Sequence, residues 1–143
     1  MQAACDALRS GVTFGVLDLR GHPDAGAAID TILASASDPG ALRALHLHTL
    51  NLEFALNVTD AHVRAMAECG TLVDVNLNAT SEVGDGAVEA LADRNGKTLA
   101  SLGLYWNVRV TDASLVRLVQ ACGSHALRTL NLSGCKRLTD ATA

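Results

Sequence analysis

LASLGLYWNVRVTD, residues 99–112, decides how this chain is read. Leu102 and Leu104 alternate with Ser101, Gly103 and Tyr105, the period-two pattern of a half-buried strand, and the stretch closes on Val110-Thr111-Asp112. The frame recurs as LRTLNLSGCKRLTD from Leu127, LVDVNLNATSEVGD from Leu72 and LHTLNLEFALNVTD from Leu47. All four fit L-x-x-[LV]-x-L-x-x-[C/N/T/A]-x-x-[VL]-[TG]-D without an internal gap, and their starts are separated by 25, 27 and 28 residues. A worn fifth copy, FGVLDLRGHPDAGA from Phe14, keeps Phe14, Leu17 and Leu19. Self-similarity at this period is the mark of a repeat architecture, in which each unit buries its apolar face on its neighbours.

The frame predicts the local structure. Leu50/Leu52, Val75/Leu77, Leu102/Leu104 and Leu130/Leu132 point inward, and successive strands pair in parallel because a crossover separates them. Ala55, Thr80, Asn107 and Cys135 fall at a buried bend after the strand, where Asn or Cys can bond the turning backbone. Thr59-Asp60, Thr111-Asp112 and Thr139-Asp140, with Asp85 in the fourth copy, read as helix starts, supplying a capping hydroxyl or carboxylate. Val63/Met66, Val88/Leu91 and Leu115/Leu118 then give each helix an apolar stripe, as Ile29, Ile32 and Leu33 do in the first unit. Gly70, Gly96 and Gly123 stand where C-terminal caps would. Ser37 to Gly40 reads as a turn closing the first unit. The 33-residue interval from Leu17 to Leu50 leaves a rival strand register at Leu42, but only the Leu47 register puts Val58-Thr59-Asp60 in place.

The fold expected is an α/β right-handed solenoid, a short horseshoe with parallel strands on its concave face and helices on its convex face. It forms one domain over 1–143: a degenerate first repeat or cap at 1–45, then four repeats over 47–140, the last truncated. With 49% apolar residues the chain can fill one core. A net charge of −4 argues against a nucleic-acid binder, and no apolar run suits a signal peptide or a membrane span. The reading is therefore of an intracellular protein, cytoplasmic or nuclear. Cys5, Cys69, Cys122 and Cys135 lack metal-ligand spacing and read as buried, reduced residues.

With LNLSGCKRLTD, LYWNVRVTD and LEFALNVTD on the page, the chain resembles the cysteine-containing class of leucine-rich repeats. That class is best known from F-box/LRR substrate receptors of ubiquitin ligases, those of plants and green algae in particular. The resemblance covers about residues 44–140 and implies a protein-recognition module that presents a substrate on its concave face. Residues 1–45 contain no F-box, so the adaptor-binding half of that function is not carried over. The ending TDATA stops before the last helix can complete, which reads as a piece of a longer protein or an end covered by another subunit. Partners expected are proteins: components of a Skp1–cullin–F-box ligase or, in the rival reading, subunits of a larger assembly in which the chain is a structural scaffold.

The frame also sorts the surface residues. Outward columns hold Thr49, Asn51, Glu53, Phe54; Asp74, Asn76, Asn78, Ala79; Ser101, Gly103, Tyr105, Trp106; and Thr129, Asn131, Ser133, Gly134, with Asp18 and Arg20 in the first unit. Glu53, Asn78, Tyr105 and Ser133 should form one row, with Phe54 and Trp106 in the next. Aromatic anchors within a polar rim mark protein-binding hot spots, so Glu53, Phe54, Asn76, Asn78, Tyr105, Trp106, Asn131 and Ser133 are the candidate site. Gly103 beside them leaves room for an incoming side chain. Trp106 has a second possible placement, folded over the loop onto Val108 or Val110. Phe14 takes a core position.

Catalytic signals are weak. His22, His46, His48, His62 and His125 recur with no acid or thiol at dyad or ligand spacing. VGDGAVEA has Gly84 and Gly86 ahead of a helix but lacks the third glycine of a dinucleotide fingerprint and the lysine of a P-loop. Neither enzymatic activity, a cofactor nor a metal is expected.

Overall fold

The computed structural model describes residues 2–3, 5–6, 14–36, 38–123 and 126–139. Among these, five short strands, β1 (Val16–Asp18), β2 (Thr49–Asn51), β3 (Asp74–Asn76), β4 (Ser101–Gly103) and β5 (Thr129–Asn131), form one all-parallel sheet in chain order. Leu17, Leu50, Val75, Leu102 and Leu130 are register partners in sequence, the phase the repeat predicts. The Leu47 register is therefore the one adopted, and Leu42 packs in the core ahead of β2.

Between strands run α1 (Ala25–Ala34), α2 (Pro39–Ala44), α3 (Asp60–Ala67), α4 (Asp85–Asn95) and α5 (Asp112–Cys122). α3 packs on α4 and α4 on α5, so the core lies between the sheet and this row of helices. Val63, Met66, Val88, Leu91, Leu115 and Leu118 are fully buried there with Leu50, Val75 and Leu102. Phe14 is only half-buried, at the margin of that core. The whole unit is α/β, and no helix among the described residues is long and apolar enough to cross a membrane.

Three local expectations are corrected. The Ser-Asp-Pro-Gly stretch, of which Ser37 lies outside the described residues, begins a helix instead of closing a unit. Asp38 accepts the Ala41 N–H at 3.0 Å and Pro39, at the first helical position, needs no donor. α2 absorbs the long first interval without disturbing the sheet register. Gly96 is not a left-handed cap but keeps φ at −57°; a Cβ there would meet Ala92 O at 2.6 Å and Ala121 Cβ at 3.0 Å, so its smallness permits a close approach to α5.

The third concerns the helix starts: Thr59 and Thr111 stand at the N-caps as expected, Thr59 in a capping box with His62, and only the role of the carboxylates differs. Asp60, Asp85 and Asp112 are the first residues of α3, α4 and α5, but their carboxylates bond forward to the next repeat. Asp60 Oδ1 accepts the Gly84 N–H at 2.7 Å, and Asp85 Oδ1 accepts the Thr111 N–H at 2.7 Å. Asp112 Oδ1 accepts the Thr139 N–H at 3.0 Å, and its other oxygen accepts the Thr139 hydroxyl. Asp85 also receives the Thr111 hydroxyl at 2.5 Å and the Ser114 hydroxyl at 2.6 Å. Partial burial pushes the Asp85 carboxyl upward, but the bonds from Ser114 and Thr111 outweigh it and hold the group below its ordinary value. The first unit uses Asp24 in a related way, accepting Asn57 Nδ2 at 3.2 Å. Asp140 and His125 lie outside the described residues.

Candidate recognition surface

Each strand leaves the sheet through a four-residue turn closed by a backbone bond: His22 N to Leu19 O, Ala55 N to Leu52 O, Thr80 N to Leu77 O, Asn107 N to Leu104 O and Cys135 N to Leu132 O. The third residue of every turn has positive φ: Gly21 at 67°, Phe54 at 56°, Ala79 at 58°, Trp106 at 62° and Gly134 at 80°. This is the type II pattern, which favours glycine because a Cβ crowds the backbone there. Two of the five turns use glycine. Two others place aromatic side chains at the strained position, and leave more than half of each exposed: Phe54 is 57% exposed and Trp106 54%.

Neighbouring turns are laced together. Gly21 N donates to Glu53 O, Phe54 N to Asn78 O, Ala79 N to Tyr105 O and Trp106 N to Ser133 O. These bonds bring Glu53, Asn78, Tyr105 and Ser133 into one row and Phe54, Ala79 and Trp106 into the next, as the repeat frame requires. Tyr105 is 37% exposed, its ring centroid 6.0 Å from that of Trp106. The Trp106 ring leans across to the next unit: a Cβ on Gly134 would come within 2.5 Å of Trp106 Cδ1. The ring is thus placed over Gly134 and stays more than half exposed.

The polar members of the surface are partly engaged with one another. Asn51, Asn76 and Asn131 each accept, through Oδ1, the N–H two residues on, from Glu53, Asn78 and Ser133. Asn76 Nδ2 also donates to Glu53 Oε2 at 2.7 Å. Gly103 stands where a fourth Asx side chain would be, so Tyr105 N takes its acceptor from the preceding repeat, Asn78 Oδ1 at 2.9 Å. A Cβ on Gly103 would lie 2.6 Å from that oxygen. Asn78 thus crowds the Cβ position of Gly103, while a shallow open cavity lined by Gly103, Asn76, Asn78, Ser101, Thr129 and Asn131 lies on the same face.

The buried bend column runs beneath. Thr80 Oγ1 donates to Leu77 O at 2.6 Å, Asn107 Nδ2 to Thr80 Oγ1 at 3.1 Å, and Cys135 Sγ to Leu104 O at 3.0 Å. Asn107 therefore bonds a neighbouring side chain, not its own turn. All four cysteines are buried free thiols, and burial pushes the Cys69 thiol up to about 11. No group of three or more His, Cys, Asp or Glu among the described residues could hold a metal ion.

Two apolar residues of this edge escaped the sequence reading. Leu56 is 57% exposed and Val108 is at the margin of exposure, each two residues after an aromatic. Their signal was present: the other two copies put Ser81 and Lys136 at that frame position. No protein-family model matches the chain.

Proposed function

We propose that this chain is a leucine-rich-repeat solenoid of the cysteine-containing class and serves as a protein-recognition module, as the repeat frame and the strictly sequential parallel sheet support. Its partner docks on the concave sheet face and the adjoining turn edge, with Phe54, Tyr105 and Trp106 as anchors and the asparagine-rich rows as their rim. One observation carries this reading. Phe54 and Trp106 occupy left-handed turn positions that disfavour large side chains, at about 1 kcal/mol or more each, while remaining more than half exposed. Folding alone gives little reason for an aromatic there, whereas binding does, since exposed aromatics concentrate association energy. The resemblance to F-box/LRR receptors gives this role a specific form, presentation of a substrate to a Skp1–cullin–F-box ubiquitin ligase.

The test is quantitative affinity capture from native cell extract with the intact chain and with a Phe54→Ala/Tyr105→Ala/Trp106→Ala variant, after urea unfolding shows both to be folded. The reading expects one or more specific proteins to be lost by the variant and a ligase adaptor to be co-captured. An unchanged protein set moves recognition away from this surface. Retention of stoichiometric assembly subunits without an adaptor would make the chain a structural scaffold instead.

A further inference from the structure

The chain is electrically polarised along its length. Residues 14–100 carry five basic and twelve acidic side chains, whereas 101–143 carry five basic and two acidic. Of those five, Arg117 is bound to Asp93 and Glu89, and Arg128 precedes β5. The remaining three, Arg109, Lys136 and Arg137, are exposed on the last two bends, the edge that also carries Trp106. The frame aligns Val108 with Lys136 and Arg109 with Arg137, on strands whose parallel register is Leu102 to Leu130. Neighbouring strands lie about 4.8 Å apart, which sets the Trp106 and Lys136 bends side by side, while Arg109 lies against Gly84 of the preceding unit and Arg137 acts on Asp85. Trp106 N donates to Ser133 O and its ring rests on Gly134, two residues from Lys136.

Elsewhere the surface settles several of its cations internally, with Arg20 on Asp18, Arg94 on Glu68 and Arg117 on two acids. Arg109, Lys136 and Arg137 make no ion pair among the described residues. Arg137 acts on Asp85, whose oxygens already accept three donors from Thr111 and Ser114. Of the two acids of this half, Asp112 receives Thr139, and Asp140 lies outside the described residues. The patch is thus an apolar centre of Trp106 and Val108 bordered by three cations, and it attracts a ligand with the opposite arrangement.

We infer that this edge docks an acidic protein segment in which one bulky apolar side chain, set against Trp106 and Val108, is flanked by aspartates or glutamates that meet Arg109, Lys136 and Arg137. The inference rests on the protein-recognition reading above and narrows its partner. The acidic first half of the chain adds selectivity, because it repels the same segment and confines it to the last two bends.

Panning a library of random twelve-residue peptides on the intact chain tests it. Trp106 is the only tryptophan, so binding of a tryptophan-free peptide synthesised from the strongest clone is followed by its emission. Recovered peptides should be net acidic with a bulky apolar residue, and affinity should fall steeply with added salt. Trp106→Ala should weaken binding about thirtyfold, read by fluorescence polarisation of the labelled peptide. Arg109→Glu/Lys136→Glu/Arg137→Glu should weaken it about tenfold or more and flatten the salt dependence. The corresponding triple glutamine variant should fall between. Neutral or basic peptides that ignore charge reversal but are lost in Phe54→Ala would overturn this inference and leave protein recognition standing. A folded chain that recovers no peptide overturns both. Vesicles of phosphatidylserine in phosphatidylcholine that shift Trp106 emission, with no acidic peptide able to displace them, would overturn it in favour of a membrane surface.

Discussion

Two columns cross the molecule, and they use similar backbone geometry for opposite ends. The helix-start column, Asp60, Asp85 and Asp112, places every carboxylate on donors of the next unit. The turn column, Gly21, Phe54, Ala79, Trp106 and Gly134, holds every backbone in a left-handed turn and sends its two aromatics outward. In the first column chemistry is spent on cohesion between units. In the second, conformational strain is kept with little internal return. A feature that costs stability and leaves more than half of each aromatic side chain exposed points to what lies outside the chain.

The comparison is broken most sharply at Asp85. Asp85→Ala strands the Thr111 N–H and hydroxyl and leaves the Ser114 hydroxyl only Thr111 O, and should cost about 3 kcal/mol in urea unfolding, since bonds to a charged acceptor contribute about 1.5–3 kcal/mol. A loss no larger than for an exposed aspartate such as Asp30 would remove the aspartate column from the account. The same group has a pH signature. Its folded pKa is depressed, so its stabilisation is complete above the ordinary carboxylate range and is lost as pH falls through the lower folded value. Unfolding followed from pH 6 downward should show a decline that Asp85→Asn makes shallower.

Gly103→Ala comes next, at about 2 kcal/mol, because the new Cβ displaces Asn78 Oδ1 and leaves Tyr105 N without its acceptor. Thermal unfolding measures the loss, and a companion Asn78→Ala change should add little to it, as both act on one bond. The smallest effect has the opposite sign. Ala79→Gly relieves a left-handed alanine and should stabilise by about 0.5 kcal/mol after the extra chain entropy of glycine is subtracted. It should leave partner binding untouched. If Phe54→Gly shows a similar gain while abolishing capture of the partner, the division between the two columns is made sharper.

Much of this was legible beforehand. Strand positions, inward leucines, buried bend residues and the row of Glu53, Asn78, Tyr105 and Ser133 all follow from a period that repeats side-chain identity and therefore environment. What the sequence hid were contacts between units. An aspartate at a helix start reads as a local cap, so nothing beside Asp85 says that it reaches Thr111 twenty-six residues away. Gly103 shows only a missing side chain; that its Cβ position is crowded by Asn78 depends on another unit. The strain at Phe54 and Trp106 was concealed for a related reason. Only Gly21 and Gly134 in the same column betray that the position prefers glycine, and two of five is easily passed over. Ser37–Gly40 failed on a different ground: Asp-Pro serves both a turn and a helix start, and the tertiary setting chose the helix.

The aspartate link has a consequence for how such a chain can change its length. Each unit offers an N–H at its helix start and a carboxylate one residue on, so either neighbour could be replaced by a copy of another and the joint would re-form. Cutting out residues 60–84 would bring Thr59 against Asp85 and preserve that grammar. It would also delete Asn78, the single acceptor borrowed by Tyr105 across the boundary. The units are therefore interchangeable parts on one side of the molecule and an ordered sequence on the other, and the order is fixed beside the aromatic pair.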